Sequence, residues 1–256
     1  MTAAETPDTG GRGPGEPPSL IYAPDLGAPG SLLQLSKEES HYLARVCRAR
    51  AGDHATATDG RGALARLRLE SVGKEVRAEV VSVERSERGR RAWVLCGAPE
   101  RGRGDWLVEK LAELGVQRFQ PLECEGGSWP AAEARFERWN RLAIGALRQS
   151  RRAFLMEVRA PVAVEEALAA LEPGASCWLG DLEGRSPGPG DPGERVTVGA
   201  IGPAGGFTAS ERKRFEVAGF APVRLADGRL RTETAALSWA SWWAAAGAGG
   251  RAAGRS

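Results

Sequence analysis

Two loops carry the residue types best suited to chemistry in this 256-residue sequence. In the first, the apolar strand VTVGAI ends in G-P-A-G-G, residues 202–206, and Thr208 and Glu211 then form a T-x-x-E capping box that predicts a helix start. Backbone amides are thereby exposed at the carboxyl end of a strand, where open α/β sheets bind ligands. The spacing matches neither the dinucleotide fingerprint nor the P-loop, so the segment is another kind of ligand loop or a tight structural turn.

The second loop follows the predicted strand PVRL. Its sequence, ADGRLRTETAAL, places a turn at residues 227–228, then Arg229 and Arg231, and then a helix that starts at Thr232 or Thr234. An arginine-rich turn is suited to holding an anion, and helix capping explains the threonines equally well.

The charge of the chain is nearly balanced, but its basic residues are unevenly placed. There are 35 basic and 33 acidic residues, and 31 of the basic residues are arginine, which grips phosphate with two hydrogen bonds and stacks on bases. Residues 41–91 hold 12 basic and 7 acidic residues, and residues 135–159 hold 7 and 2. These two basic segments indicate a patch for a polyanion; solvated helix faces are the alternative.

The composition excludes several classes of protein. At 42% hydrophobic residues the chain has enough apolar material for a packed core, and it has no stretch approaching the ~18 apolar residues of a membrane span. The first residues lack the features of a signal peptide, so we expect a cytoplasmic protein without a membrane partner. Four scattered cysteines and two histidines argue against a metal site or a disulfide framework.

The sequence pattern predicts a tail and two domains. Residues 1–19 are rich in Gly and Pro and nearly free of large apolar side chains, which predicts a disordered tail. Residues 20–84 contain the alternating runs ALARLRL and VRAEVVSV, typical of a small β-rich domain, and one short helix capped by Ser36. The charged run over residues 84–91 is the predicted boundary.

Strands and helices alternate in the second predicted domain, residues 92–247. The strand AWVLCGAP precedes the helix DWLVEKLAELG, with Asp105 predicted as its N-cap and Gly115 as its end. A long amphipathic helix follows over residues 131–151, and further strands and helices alternate up to the C-terminus. This order predicts an α/β fold with a mostly parallel sheet covered on both faces.

Five segments occur in a fixed order along the chain: HYLARVCRARAGD, GDWLVEKLAELGVQRFQPLE, RWNRLAIGALRQSRR, IGPAGGFTASE and GRLRTETAAL. Together they resemble the RsmE family, ribosomal RNA small subunit methyltransferases of the SPOUT superfamily. The resemblance covers residues 20–246 and implies a PUA-like β-barrel that helps to bind RNA, followed by a SPOUT domain with a trefoil knot. It also implies methylation of N3 of one uridine in 16S ribosomal RNA, S-adenosylmethionine as cofactor, and a homodimer. The substrate is then the RNA itself or the assembled small ribosomal subunit.

The resemblance also implies roles for individual residues. The cofactor pocket is expected to comprise Leu179, Gly180, Ile201, Gly202, Pro203, Gly205, Gly206, Leu225, Gly228, Leu230, Arg231 and Thr234. Uridine N3 must lose its proton, so Arg231 is the candidate that stabilises the uridylate and Glu233 is the candidate base. The candidate RNA contacts are His41, Arg45, Arg48, Arg148 and Arg152.

The chain departs from the family pattern at several positions. The family loop reads GPEGG, and here Ala204 stands in place of its glutamate. The segments LIYAP and ECEGGS replace an arginine and a Glu-Arg-Ser motif of the family, while Arg101 and Arg103 stand where it often has a lysine. Two alternatives therefore remain at this point: an RNA-binding paralogue without turnover, and a SPOUT methyltransferase that acts on another RNA.

Overall fold

The structure, a computed structural model, describes residues 20–129, 132–188 and 196–252, so the predicted disordered tail, residues 1–19, lies outside it. The chain divides into two compact units. The first contains the described residues up to Asp59 together with Ala63–Glu84, and the second contains Gly60–Gly62 and the chain from Arg85 onwards. Within the described ranges, no helix combines the length and the apolar character needed to cross a membrane.

The first unit is a five-stranded sheet with one short helix. Its elements are β1 (Leu20–Tyr22), β2 (Leu32–Gln34), α1 (Lys37–His41), β3 (His54–Thr58), β4 (Ala63–Ser71) and β5 (Arg77–Arg85). The strand order is β1-β3-β4-β5-β2, with β1 parallel to β3 and the pairs β3–β4 and β2–β5 antiparallel. The predicted N-cap is confirmed, because Ser36 accepts a hydrogen bond from the backbone N–H of Glu39. A single π-helical turn, Tyr42–Val46, follows α1.

The second unit is an α/β fold in which strands and helices alternate. Its elements are β6 (Arg91–Cys96), α2 (Gly104–Leu114), β7 (Arg118–Glu123), α3 (Ala132–Ser150), β8 (Glu157–Val158), β9 (Val162–Ala163), α4 (Val164–Ala169), β10 (Ser176–Arg185), β11 (Val196–Ile201), α5 (Ala209–Val217), β12 (Ala221–Val223) and α6 (Thr232–Ala252). The strand order is β12-β10-β11-β6-β7-β8, and β9 pairs with β7. These pairings are parallel, which confirms the predicted sheet.

The sheet of the second unit is buried between two layers of helices. Alternate residues of β6, such as Val94, pack with α2, α3 and α6 on one face, while Trp93 and Leu95 face the core that α4 and α5 share. Although α6 follows the edge strand β12, it returns to pack against β6 and β11 in the middle of the sheet. The trefoil knot that the resemblance implies stays a prediction.

The two predicted ends of α2 have different outcomes. Gly115 ends the helix in the left-handed conformation with φ 83°, as its residue type indicates. The prediction that Asp105 caps the start is wrong: the helix begins at Gly104 after Arg103, without a side-chain cap. The Asp105 carboxylate instead accepts hydrogen bonds from Arg138 Nε at 2.7 Å and from Trp139 Nε1 at 3.0 Å. A buried indole N–H needs an acceptor, and Asp105 supplies it.

Candidate functional site

The middle of β10 and the loops that follow β11 and β12 enclose a cavity of about 310 Å³. These three strands are neighbours in the parallel sheet, so the fold brings together segments that lie far apart in the sequence. The cavity is lined by residues 179–182 and 201–207, together with Arg212, Leu225, Ala226, Gly228, Arg229, Leu230, Thr232 and Ala235.

The glycine loop after β11 is held in place by hydrogen bonds on both sides. Within the loop, the Gly206 N–H donates to the Pro203 carbonyl at 2.8 Å, and Gly206 has φ +85°, a conformation that favours glycine. The Ala204 N–H donates to the Ala98 carbonyl at 3.1 Å, and Thr232 Oγ1 donates to the Gly202 carbonyl at 3.0 Å. The start of α6 is thereby attached to the loop that lines the cavity.

The wall of the cavity combines open backbone with apolar side chains. A Cβ atom on Gly180 would lie 2.8 Å from Ile201 Cδ1 and 3.7 Å from Leu225 Cδ1, so a side chain there would compete for space with the apolar wall. The apolar residues are suited to contact a flat aromatic group, and the glycine leaves backbone polar atoms accessible.

The predicted capping box at α5 is confirmed and extends beyond the helix. Thr208 accepts a hydrogen bond from the Glu211 N–H at 3.2 Å, and Glu211 Oε2 accepts one from the Thr208 N–H at 2.8 Å. The other oxygen, Glu211 Oε1, accepts a hydrogen bond from the Glu125 N–H at 2.9 Å. One buried carboxylate therefore connects the loop after β11 to the segment after β7.

An ion pair in the cavity wall was not predicted from the sequence. Asp181, whose side chain is almost fully buried, pairs with Arg212 of α5 and accepts a hydrogen bond from the Glu183 N–H at 3.0 Å. The predicted strand SCWLG ended at Gly180, whereas β10 continues to Arg185. The signal that would have identified Asp181 is its position next to Leu179 and Gly180, which were both predicted to line the cofactor pocket.

The structure brings together ten of the twelve residues predicted to bind the cofactor. The other two, Arg231 and Thr234, are exposed and do not line the cavity. Arg231 Nη1 donates to Glu100 Oε2 at 2.8 Å. Glu233, the candidate base, is buried; its Oε1 lies 3.7 Å from Arg103 Nε, and its Oε2 has no hydrogen-bond partner among the described residues.

The predicted RNA contacts fall into two groups. His41, Arg45 and Arg48 are exposed residues of the first unit, on α1 and in the turns that follow it. Arg148 and Arg152 belong to the second unit, at the end of α3 and just after it. Arg152 Nε also donates to the Glu113 carbonyl at 2.9 Å, which satisfies a backbone group at the end of α2.

The thiols of the second unit are poorly suited to nucleophilic chemistry. Burial raises the pKa of Cys96 far above its usual range, that of Cys124 to about 12 and that of Cys177 to about 11. A thiol reacts as its thiolate, which is scarce at neutral pH when the pKa is so high. Among the residues that the structure describes, no group of three or more His, Cys, Asp or Glu is placed to hold a metal ion.

Comparisons with known proteins relate both units to RNA methyltransferases. A family model for an RNA methyltransferase domain matches residues 86–244, and one for an RNA methyltransferase PUA domain matches residues 35–81. Ribosomal RNA small subunit methyltransferase E of a Synechocystis species is 32% identical over 229 residues, which cover 84% of this chain and 73% of that protein.

Two solved structures are similar over nearly their whole length. Ribosomal RNA small subunit methyltransferase E from Neisseria gonorrhoeae, bound to S-adenosyl methionine, matches with a TM-score of 0.79 and 27% sequence identity. The match covers 88% of this chain and 96% of the Neisseria chain. A methyltransferase from Legionella pneumophila, in complex with the same cofactor, matches with a TM-score of 0.79 and 28% sequence identity. That match covers 90% of this chain and 98% of the Legionella chain.

Proposed function

Because the chain belongs to the family of ribosomal RNA small subunit methyltransferases, we propose that it methylates N3 of one uridine in 16S ribosomal RNA, with S-adenosylmethionine as methyl donor. The observation that carries the proposal is the cavity between β10 and the loops after β11 and β12, because its wall contains ten of the twelve residues that the resemblance assigns to the cofactor. The volume, about 310 Å³, lies within the range of small-molecule sites.

The residues of the cavity fit this cofactor. S-adenosylmethionine supplies a methyl group bound to a positively charged sulfur. We propose that Leu179, Ile201 and Leu225 contact the adenine, since these three apolar residues all line the cavity. Gly180 leaves room beside them, and Asp181 is an acceptor for hydroxyl or ammonium groups of the ligand.

We propose that positioning supplies much of the rate, because displacement at a methyl group depends on alignment more than on acid–base chemistry. Arg231 stabilises the uridylate in this proposal. Its present partner is Glu100, and both side chains are more than half exposed, so exchanging that partner for the substrate costs little. Glu233 is the proposed base, since its Oε2 is free of hydrogen-bond partners among the described residues.

We further propose that the first unit grips RNA through His41, Arg45 and Arg48, and that the second contributes Arg148 and Arg152. The chain is proposed to act as a homodimer in the cytoplasm, where ribosomal subunits are assembled. Its substrate is 16S ribosomal RNA or the assembled small subunit.

A second candidate function follows from Ala204, which lines the cavity where the family has a glutamate. If that carboxylate is essential for turnover, the chain binds the cofactor and RNA without methylating it. The test is transfer from labelled S-adenosylmethionine to unmethylated small subunits, naked 16S RNA and transfer RNA, followed by mass mapping. Incorporation at one uridine N3 supports the enzyme. No incorporation by a sample that binds the cofactor, together with activity of Ala204→Glu, supports the binding protein, and labelling of transfer RNA alone indicates another RNA substrate.

A further inference from the structure

The second unit contains another cavity, of about 560 Å³, at the amino ends of β6 and β7. The cofactor cavity lies at the carboxyl ends of the strands, so the two cavities are at opposite ends of the parallel sheet. The two basic segments of the sequence meet here: Arg88, Arg90 and Arg91 come from the first, and Arg152 comes from the second. Glu87 is the one carboxylate among the described residues of the wall.

Two of these arginines lie over aromatic rings and form cation–π contacts with them. Arg88 Cζ lies 4.7 Å from the centroid of Phe154, and Arg90 Cζ lies 5.5 Å from that of Trp243. Arg90 Nη1 also donates to the Trp243 carbonyl at 3.4 Å. A guanidinium carries five N–H donors, so an arginine that lies over an aromatic ring can still donate a hydrogen bond to an anion. Arg91 contributes less positive charge to the cavity, because its guanidinium forms two hydrogen bonds with the Glu172 carboxylate.

The cavity wall favours a negatively charged ligand. Burial lowers the pKa of Arg88, and the nearby charge of Arg91 lowers it further, against a smaller opposing effect of Glu157. Burial also lowers the pKa of Arg90. The lowered pKa reflects the cost of burying these positive charges, and an anion placed between the two arginines would stabilise their charged forms. Arg152 adds a fourth positive charge to the wall, with its Nε donating to the Glu113 carbonyl.

A neutral donor in the same wall independently points to an acceptor ligand. The Trp243 ring is only 8% exposed, and its Nε1 has no hydrogen-bond partner among the described residues. A buried indole N–H ordinarily finds an acceptor, so its lack of one at a cavity wall is unusual. A phosphate group carries only acceptor oxygens and matches a wall of guanidinium and indole donors.

We propose that this cavity binds a phosphate group of the RNA substrate, an inference that rests on the proposed function. Arg88 and Arg90 supply charge, and the Trp243 indole N–H donates to a phosphate oxygen. The six residues of β6, a length of about 20 Å, run between the two ends of the sheet. The phosphate therefore belongs to a nucleotide remote from the uridine that is methylated.

The first test compares two single substitutions that remove the same charge. Arg90→Gln changes the cavity, whereas Arg214→Gln changes an exposed arginine of α5 that pairs with Glu165. The affinity for a fluorescein-labelled single-stranded RNA is measured by anisotropy over a series of salt concentrations. Arg90→Gln is expected to bind about tenfold more weakly and to reduce the slope of log affinity against log salt by about 0.7. Arg214→Gln is expected to match the wild type.

The second test follows the indole N–H directly by NMR of the 15N-labelled protein. Trp243→Phe identifies the Trp243 resonance, and Trp239→Phe is its matched control. Trp239 Nε1 is also buried and has no hydrogen-bond partner within the described part of the chain, but it does not line the cavity. Adding the RNA is expected to shift the Trp243 resonance and to leave that of Trp239 in place. If Arg90→Gln and Arg214→Gln bind RNA equally well, or if the Trp243 resonance does not shift, the inference is wrong. Absence of both RNA binding and methylation in the wild type would instead overturn the proposed function.

Discussion

Replacing Glu211 by alanine is expected to destabilise the second unit far more than any exposed substitution on the same helix. Glu211 is 1% exposed, and its carboxylate accepts hydrogen bonds from two backbone N–H groups, those of Thr208 and Glu125. Removing it leaves both donors without their acceptor. It also removes a negative charge from the first turn of α5, where the helix dipole favours one.

The expected magnitude follows from these two contacts. Losing the capping interaction costs about 1 kcal/mol, and losing a charge-assisted hydrogen bond to a partly buried N–H costs about 2 kcal/mol. The sum is about 3 kcal/mol, and in a unit of this size each kcal/mol lowers the Tm by about 2 to 4 °C. Glu211→Ala should therefore lower the Tm by about 9 °C.

The measurement is thermal and urea unfolding followed by circular dichroism. Glu216→Gln is the matched control, because Glu216 lies on the same helix and its side chain pairs with Lys213 at the surface, an interaction worth less than about 1 kcal/mol. Thr208→Val removes one side of the capping box and should cost about 1 kcal/mol. If Glu211→Ala is no less stable than Glu216→Gln, the carboxylate does not connect the two segments as the structure indicates.

Three further outcomes are expected. Gly180→Val should weaken S-adenosylmethionine binding in calorimetry at least about tenfold, because even a Cβ atom lies 2.8 Å from Ile201 Cδ1; unchanged affinity would contradict that placement of the cofactor. Arg231→Ala should abolish methylation and change the unfolding free energy by less than about 0.5 kcal/mol, because its ion pair with Glu100 is exposed; undiminished turnover would remove its role. Burial raises the pKa of Cys177 to about 11, so the rate at which iodoacetamide labels this thiol should increase about tenfold per pH unit between about pH 8 and 10. Labelling at the rate of a free thiol at about pH 8 would contradict this expectation and show that the thiol is accessible.

The sequence predicted those features that depend on residues a few positions apart. The capping box of Thr208 and Glu211, the helix end at Gly115 and the strand ALARLRL are each determined by local geometry, and each occurs in the structure. Asp105 was predicted wrongly because a distant residue competes for its carboxylate: Trp139, on α3, needs an acceptor for its indole N–H.

The sequence predicted which loops form the site, but it did not predict where the charged side chains of those loops point. Arg231 and Glu233 flank the start of α6, where successive side chains point about 100° apart, so one is exposed and the other buried while Thr232 between them binds the glycine loop. The two carboxylate oxygens of Glu211 also differ in whether the sequence predicts their hydrogen bonds. The T-x-x-E pattern specifies the bond of one carboxylate oxygen, but the bond of the other to Glu125 depends on β7 ending beside α5. A local capping motif thus acts as a tertiary connection, and for this reason its removal should destabilise the whole unit rather than one helix turn.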